Sequence, residues 1–205
     1  MSASMAKTRE KLVEVARQLF ARIGVENTTM NDIALASQKG RRTLYTYFKS
    51  KTEIYQAVIE SELNILYESL ESVARKDIPA DEKLLEFIHT RLESIKDVVS
   101  RNGTLRADFF RDIWRVEIVR KEFDAQEISY IKNILDEGVE TGIFALEDTD
   151  SMALVLHYAL KGLEVPYIRG RIKEPRLLEY KHESSDIANL LFNGIKRNHN
   201  TAQAE

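Results

Sequence analysis

Arg41, Arg42 and Thr43 are the residues of this 205-residue chain whose chemistry is best suited to reading a nucleic acid. A guanidinium can donate two hydrogen bonds at once to O6 and N7 of guanine, and each such pair contributes about 1–3 kcal/mol of discrimination. The three residues open a predicted short helix, and the N-terminal end of such a helix meets base edges in the major groove. One of the two arginines could equally well neutralise a phosphate. The segment predicts contact with duplex DNA.

Two short helices joined by a tight corner must hold these side chains in place. Thr29 and Asp32 have the spacing of a capping box, which predicts a helix from about residue 30 to 36. Gly40 can occupy the next N-cap, so the helix that carries the arginines is expected over about residues 41–47. Four apolar residues are spaced to pack the small helices together, and they are Ile33, Ala34, Leu44 and Phe48. The pattern is typical of a helix-turn-helix.

The rest of the chain also has helical periodicity, and it contains only eight glycines and three prolines. An apolar stripe precedes the corner and ends at Gly24, which suits a C′ residue. A second capping box, Ser50 and Glu53, predicts the start of a long helix. The later helices are expected at about residues 51–75, 81–100, 104–118, 121–142, 151–169 and 185–197. We therefore predict an all-α fold of about nine helices.

A basic N-terminal segment precedes an acidic remainder. Residues 1–52 contain ten basic and four acidic side chains, which gives a net charge of +6. Because the whole chain carries −3, the residues after 52 carry −9. This contrast indicates that the N-terminal segment meets a polyanion, although a charged run is often only a solvated face. We predict a helix-turn-helix DNA-binding domain over residues 1–50 and a larger helical domain over residues 51–205.

Composition and motifs favour a non-enzymatic cytoplasmic protein. No apolar run approaches the roughly 18–20 residues that a membrane span needs, and the polar N-terminus lacks the apolar core of a secretory signal. The chain has no cysteine, which excludes thiolate metal sites and fits a reducing cytoplasm. Its four histidines lack metal-ligand spacing, and no glycine-rich phosphate loop occurs. We therefore expect no metal, no cofactor, no membrane partner and no enzymatic activity.

The run ARQLFARIG…TTMNDIALAS…RRTLYTYFKSK resembles the N-terminal signature of the TetR family of bacterial transcriptional regulators. The resemblance covers roughly residues 9–60. The matching positions are Phe20, Gly24, Thr29, Ile33, Ala34, Leu44, Tyr45, Phe48 and Lys51. The family's turn usually carries glycine, an apolar residue and serine, where this chain has Gln38, Lys39 and Gly40. Because the length of the turn is unchanged, we expect the corner to survive.

The resemblance also implies which side chains hold the DNA backbone. Tyr45, Tyr47 and Lys51 match positions from which members of the family commonly grip phosphates. Thr29 and Lys39 are further phosphate candidates, through a hydroxyl and a charge. Thr46 joins the candidates for base contact. Backbone contacts fix the register of a protein on DNA and carry no direct sequence information.

A two-fold dimer on a palindromic operator is expected, because one short helix reads only a few base pairs. The resemblance implies that the last two helices form a four-helix contact with the same helices of a second copy. The candidate interface residues are Val155, Leu156, Ala159, Leu163, Ile187, Leu190, Leu191 and Ile195. The same apolar stripes could instead form a core within one chain.

Aromatic residues of the middle helices could line a pocket for a small effector. The candidates are Phe87, Phe109, Phe110, Trp114, Tyr130 and Tyr158. Each of them could also be an ordinary core residue. Trp114 is the preferred one, because its indole lies near Asp108, Asp112 and Arg115 in the sequence.

The function predicted from the sequence is that of a dimeric repressor that binds a palindromic operator and is released by an unknown small-molecule inducer. The alternative is a DNA-bound structural or adaptor protein that has no inducer. A cavity of ligand size in the second domain would favour the repressor, and an exposed apolar patch over a filled core would favour the adaptor.

Overall fold

The computed structural model describes residues 3–102, 113–169 and 171, and at residues 113–120 and 122 it describes the backbone alone. Seven helices form within these residues. They are α1 (Ala3–Ile23), α2 (Met30–Ala36), α3 (Arg41–Tyr47), α4 (Lys51–Ala74), α5 (Ala80–Arg101), α6 (Ile113–Glu140) and α7 (Thr149–Ile168). The predicted all-α fold class is confirmed. None of the described helices combines the length and the apolarity that crossing a bilayer would take.

One predicted helix boundary is wrong. The sequence was expected to break between residues 118 and 121, whereas α6 runs without interruption. Neither glycine nor proline occurs between residues 113 and 137, so no residue there disfavours the helical backbone. The helix predicted at residues 185–197 lies outside the described residues, as does most of the one predicted at residues 104–118.

The chain divides into two compact units. The head unit comprises the residues up to Ile65 together with Asp97–Phe123, and the body unit comprises Leu66–Lys96 together with the residues from Asp124 onward. Helices α4, α5 and α6 each contribute residues to both units. The predicted domain boundary after residue 50 therefore stays a prediction.

The first three helices pack together in the head unit, with α2 in contact with both α1 and α3. Their buried apolar residues are Leu12, Val13, Ala16, Leu19, Phe20, Ile33, Ala34 and Leu44, joined by Phe48 just after α3. The predicted packing residues of the corner are thus confirmed as core. The ring of Phe20 also makes an edge contact with Tyr55 of α4, with 6.1 Å between the centroids. This core fixes α3 so that its other side faces outward.

The body unit contains a second apolar core. Its buried residues on α5, α6 and α7 include Leu84, Phe87, Ile88, Leu92, Ile131, Ile134, Leu135, Leu156 and Leu160. Helix α7 begins after Asp148, whose carboxylate accepts the N–H of Ser151 at 2.9 Å. These three helices hold the charged cluster that is described further below.

Candidate nucleic-acid interface

The outward side of α3 carries most of the residues predicted to contact DNA. Arg41, Arg42, Thr43 and Tyr45 are exposed, whereas Leu44 is completely buried. Because Leu44 anchors the helix in the core of the head unit, the residues beside it project away from that core. The structure therefore brings the predicted base-reading residues onto one accessible surface.

Unpaired positive charge is concentrated at the start of this helix. Lys39, Arg41 and Arg42 are exposed, and no acidic side chain among the described residues pairs with them. Paired cations are found elsewhere in the head unit. The guanidinium of Arg17, for example, binds Glu14 at 2.6 Å and lies 3.7 Å from the buried carboxylate of Glu62. The positive charge available for a polyanion thus lies in the loop between α2 and α3 and in the first helical turn of α3.

The turn before α3 closes α2 with a complete Schellman motif. The N–H of Lys39 donates to the carbonyl of Ala34, and the N–H of Gln38 donates to the carbonyl of Leu35, both at 3.0 Å. These bonds satisfy carbonyls that the end of the helix would otherwise leave free. Gln38 is the C′ residue and has a φ of +57°, a conformation that glycine adopts without strain. The corner survives, as expected, with glutamine in a position that favours glycine.

Replacing Gln38 with glycine is expected to stabilise the protein by roughly 0.5–1 kcal/mol. The left-handed conformation costs a non-glycine residue roughly 1–2 kcal/mol, and the greater freedom of glycine in the unfolded chain offsets roughly 0.5–1 kcal/mol of the gain. Thermal unfolding measures the change. Gln38→Ala is the matched control, because alanine keeps the strain. A glycine variant that melts below the alanine variant would show that the turn is not strained, because only the greater freedom of glycine in the unfolded chain would then remain.

Thr29 is engaged in the capping box of α2. Its hydroxyl accepts the N–H of Asp32 at 3.2 Å and donates to the Asp32 carboxylate at 2.7 Å, and its own N–H donates to that carboxylate at 2.9 Å. These hydrogen bonds hold the pKa of Asp32 below its ordinary value. The predicted capping box is confirmed. Because the only hydroxyl proton is already donated, a phosphate contact by Thr29 would have to replace the bond to Asp32.

Lys51 has partners that the sequence did not reveal. Its ammonium donates to the backbone carbonyl of Val25 at 2.7 Å and to that of Glu26 at 3.3 Å. The lysine thereby joins the start of α4 to the loop between α1 and α2. Two of its three N–H donors are used in this way, so its predicted phosphate contact rests on the third.

The remaining candidates on α3 differ in what they offer. Tyr47 is half-buried, and the hydroxyl proton of Thr46 is donated to the carbonyl of Arg42 at 3.0 Å. Thr46 can therefore only accept a hydrogen bond from a base while that bond persists. Leu35 of α2 was not predicted to matter, yet its side chain is 69% exposed beside the turn. The face that could meet DNA is thus cationic with one apolar residue at its edge.

The helix-turn-helix and its exposed cationic face lie within residues 12–58, which match the family described as "Bacterial regulatory proteins, tetR family". The helix-turn-helix segment of this chain is thus that of the TetR family. This protein is accordingly a helix-turn-helix transcriptional regulator, and dimerisation and response to ligands are typical of TetR-family proteins.

Two bacterial regulators show that the similarity extends past the DNA-binding segment. The HTH-type transcriptional regulator YhgD of Bacillus subtilis is 26% identical over 160 residues, which cover 74% of this chain and 80% of that protein. The probable acrEF/envCD operon repressor of Escherichia coli is 26% identical over 172 residues, which cover 78% and 76% of the two chains. This TetR-family chain thus resembles named regulators over most of its length.

Solved structures share the fold. A transcriptional regulator from Cytophaga hutchinsonii has a TM-score of 0.70 at 23% identity, covering 92% of this chain and 98% of that one. SmeT, solved as a complex with triclosan, has a TM-score of 0.62 at 19% identity, covering 94% and 93%. At these identities the likeness establishes the helical architecture of this TetR-family regulator.

The residues predicted to line an effector pocket are only partly described. Phe87 is completely buried in the body unit and Tyr130 is half-buried. Phe109, Phe110 and the side chain of Trp114 lie outside the described residues. A pocket built from these residues stays a prediction.

The outer side of α7 holds some of the residues predicted to form a dimer interface. Val155 is 61% exposed and Ala159 is exposed, while Leu163 is half-buried. Leu156 is buried within the chain, and its place in a dimer interface stays a prediction. Tyr158 is also 61% exposed, on the same side as Val155, and its place in an effector pocket stays a prediction. The candidates outside the described residues are Ile187, Leu190, Leu191 and Ile195.

A buried ionic network in the body unit was missed by the sequence analysis. Arg91 and Glu127 are completely buried and bind each other at 2.6 Å. The sequence did contain an indication of this network. Arg91 lies on the apolar stripe of α5, three residues after Ile88 and four before Ile95. A charged residue at such a position needs a buried partner.

Proposed function

We propose that this TetR-family regulator is a dimeric repressor that binds a palindromic operator and is released by a small-molecule inducer. The observation that carries the proposal is the exposed, acid-free cationic face formed by Lys39, Arg41 and Arg42 at the start of α3. The N-terminal end of a recognition helix is where side chains reach base edges in the major groove. The similarity to a probable operon repressor favours repression.

On this proposal Arg41, Arg42 and Thr43 read bases, and Lys39 and Tyr45 hold the backbone. Each of these side chains is exposed, and none of them makes a side-chain hydrogen bond or ion pair with the part of the chain that the structure describes. Thr29 and Lys51 act mainly by positioning the helices, because their donors are largely used within the head unit.

The outer side of α7 is the surface that we propose for dimerisation. Leu154, Val155 and Tyr158 are large apolar residues that leave 45%, 61% and 61% of their surface exposed. Ala159 and Gly162 lie on the same side and are small enough to let another helix approach closely. Apolar residues grouped on one helix face are typical of a protein–protein contact.

The effector is proposed to be an organic small molecule bound in the helical body. SmeT, which shares the fold, was solved with triclosan. Phe87 and Tyr130 are the described aromatic candidates in the body unit. Helix α4 contributes residues to both units, so it connects a ligand-binding body to the DNA-binding head by continuous backbone. A ligand that favours the conformer with wrongly spaced heads by a few kcal/mol would release DNA.

The salt dependence of DNA binding tests the proposal. If each head of a dimer neutralises two or three phosphates, log Kd should change with log salt with a slope of about 4–5, so that affinity falls roughly 10²–10³-fold between 50 and 200 mM. Arg75→Ala is the matched control for substitutions of the cationic residues at the start of α3. Arg75 lies in the body unit and is paired with Glu71. A flat salt response would contradict the electrostatic role of this face.

A further inference from the structure

A cluster of charged and titratable side chains lies inside the body unit, between α5, α6 and α7. The members of this buried charge cluster are Arg91, Asp124, Glu127, His157, Lys161 and Glu164. Arg91 stands at its centre, where Nε donates to Glu127 Oε1 at 2.6 Å and a terminal nitrogen donates to Glu164 Oε1 at 2.7 Å. One guanidinium thus joins all three helices.

His157 occupies the space between two carboxylates of α6. Its Nδ1 lies 3.2 Å from Glu127 Oε1, its Nε2 lies 3.7 Å from Asp124 Oδ1, and its side chain is completely buried. Asp124 is shared with Lys161, whose ammonium donates to it at 2.8 Å. The ring of Tyr158 meets the imidazole edge-on, with 5.1 Å between the centroids. Both imidazole nitrogens therefore face anionic oxygens, which a neutral imidazole, with a single N–H, cannot match.

A protonated His157 suits the two carboxylates that its ring faces. An imidazolium presents one N–H toward Glu127 and the other toward Asp124. A neutral ring would turn a nitrogen lone pair toward one of these anionic oxygens in a buried setting, which is unfavourable.

Opposing influences act on the pKa of His157. Burial lowers it, because desolvation disfavours the charged ring, while the carboxylates of Asp124 and Glu127 beside the two ring nitrogens raise it. The carboxylates prevail, and the pKa of His157 lies above its ordinary value. This agrees with the distances from the two ring nitrogens to the carboxylates.

We propose that His157 is a proton-operated switch, in which the proton shared with Asp124 and Glu127 fixes α7 against α6 and its loss loosens α7. Within the ranges that the structure describes, the groups that face the imidazole are Asp124 and Glu127 of α6 and Tyr158 of α7. Arg91 of α5 acts through Glu127. Lys161 of α7 acts through Asp124. The switch requires neither DNA nor an effector, so it can fail or succeed independently of the proposed repressor function.

Loosening of α7 would also change the position of the residues that this helix exposes on the surface of the body unit. Val155 and Tyr158 lie on the outer side of the helix whose inner side carries His157. If that outer side forms the proposed dimer contact, proton loss at His157 weakens the dimer, and alkaline pH favours release from DNA. This consequence rests on the proposed function, whereas the switch itself does not.

The expected pH dependence follows from the direction of the pKa shift. A histidine whose folded pKa is raised contributes stability that is fully present below the unfolded pKa of about 6.5. The contribution falls as pH rises through the window between the unfolded and folded values and is lost above the folded pKa. The melting temperature of the full chain should therefore fall between pH 6 and pH 9 by about 2–4 °C more than that of His157→Gln.

An NMR titration of the full chain tests the switch at the level of single residues. The imidazole carbon–proton resonances of His157, assigned by their loss in His157→Gln, should titrate above the ordinary value for histidine. In Asp124→Asn the same resonances should titrate at lower pH, because one of the facing charges is removed. This carboxylate is the partly accessible one of the two, so the variant is expected to fold.

His89→Gln is the matched control for the thermal measurement. His89 lies on α5, and no acidic side chain among the described residues pairs with it. That variant should keep the full pH dependence of the wild type. Titration of His157 at or below the ordinary value, or identical pH profiles for the wild type and His157→Gln, would overturn the proposal. Because the NMR titration uses the wild-type chain, the proposal can be refuted even if a variant fails to fold.

Discussion

Replacing both Arg41 and Arg42 with alanine is expected to lower the affinity for the operator by about 10²–10⁴-fold. If one arginine in each head of a dimer pairs with guanine, the two heads together lose about 2–6 kcal/mol of specific binding energy. Loss of the other arginine removes a phosphate contact from each head, which makes the salt dependence of binding less steep. Electrophoretic mobility or fluorescence anisotropy with the operator duplex measures the loss. Arg75→Ala, which removes a paired cation far from α3 in sequence, should bind like the wild type.

The single variants separate the two roles that the sequence left open. The arginine that reads a base should, when replaced, relax the preference at one position of each half-site. The arginine that neutralises a phosphate should instead weaken all sequences about equally and reduce the salt slope by about one for each lost contact. If both single variants bind every sequence as tightly as the wild type does, α3 is not the recognition helix.

Arg91→Ala is expected to destabilise the protein by about 3–5 kcal/mol. The substitution removes the guanidinium that Glu127 and Glu164 bind inside the body unit, and the loss of one partner is the costly way to break a buried ion pair. Because whole domains are stable by only about 5–15 kcal/mol, the loss should be visible as a large drop in the urea midpoint.

The control for this prediction is an ion pair of the same length on the surface. Arg75 and Glu71 are 2.6 Å apart, as are Arg91 and Glu127, but the side chain of Arg75 is 77% exposed. Exposed pairs of this kind on a helix contribute about 0.3–0.5 kcal/mol, so Arg75→Ala should unfold almost like the wild type. Equal losses for the two variants would show that burial of the cluster does not determine its energy.

Local signals in the sequence were sufficient to predict the head. The Thr29–Asp32 capping box and the glycine before Arg41 placed α2 and α3 within their observed bounds. The capping box at α4 was half right: Ser50 accepts the N–H of Glu53 at 3.2 Å, but the Glu53 carboxylate accepts the N–H of Lys49 at 2.7 Å and not that of Ser50. Such signals work because capping involves residues only a few positions apart.

Contacts between distant segments were not predictable in the same way. Lys51 binds carbonyls 25 and 26 residues earlier in the chain, and Arg91 binds carboxylates 36 and 73 residues later. Periodicity assigns a residue to a face of its helix but does not say which residue of another helix faces it. For the same reason the sequence did not separate the buried Leu156 of α7 from the exposed Tyr158 of the same helix.

The central claim is that the face of α3 recognises a two-fold symmetric DNA sequence. Its most direct test is to select genomic fragments from the source organism with the purified full chain and to footprint the retained fragments. We predict discrete protected sites made of two inverted half-sites separated by about one helical turn or a multiple of it, and loss of that protection in Arg41→Ala/Arg42→Ala. Protection without inverted symmetry, or protection that the double variant retains, would contradict the claim.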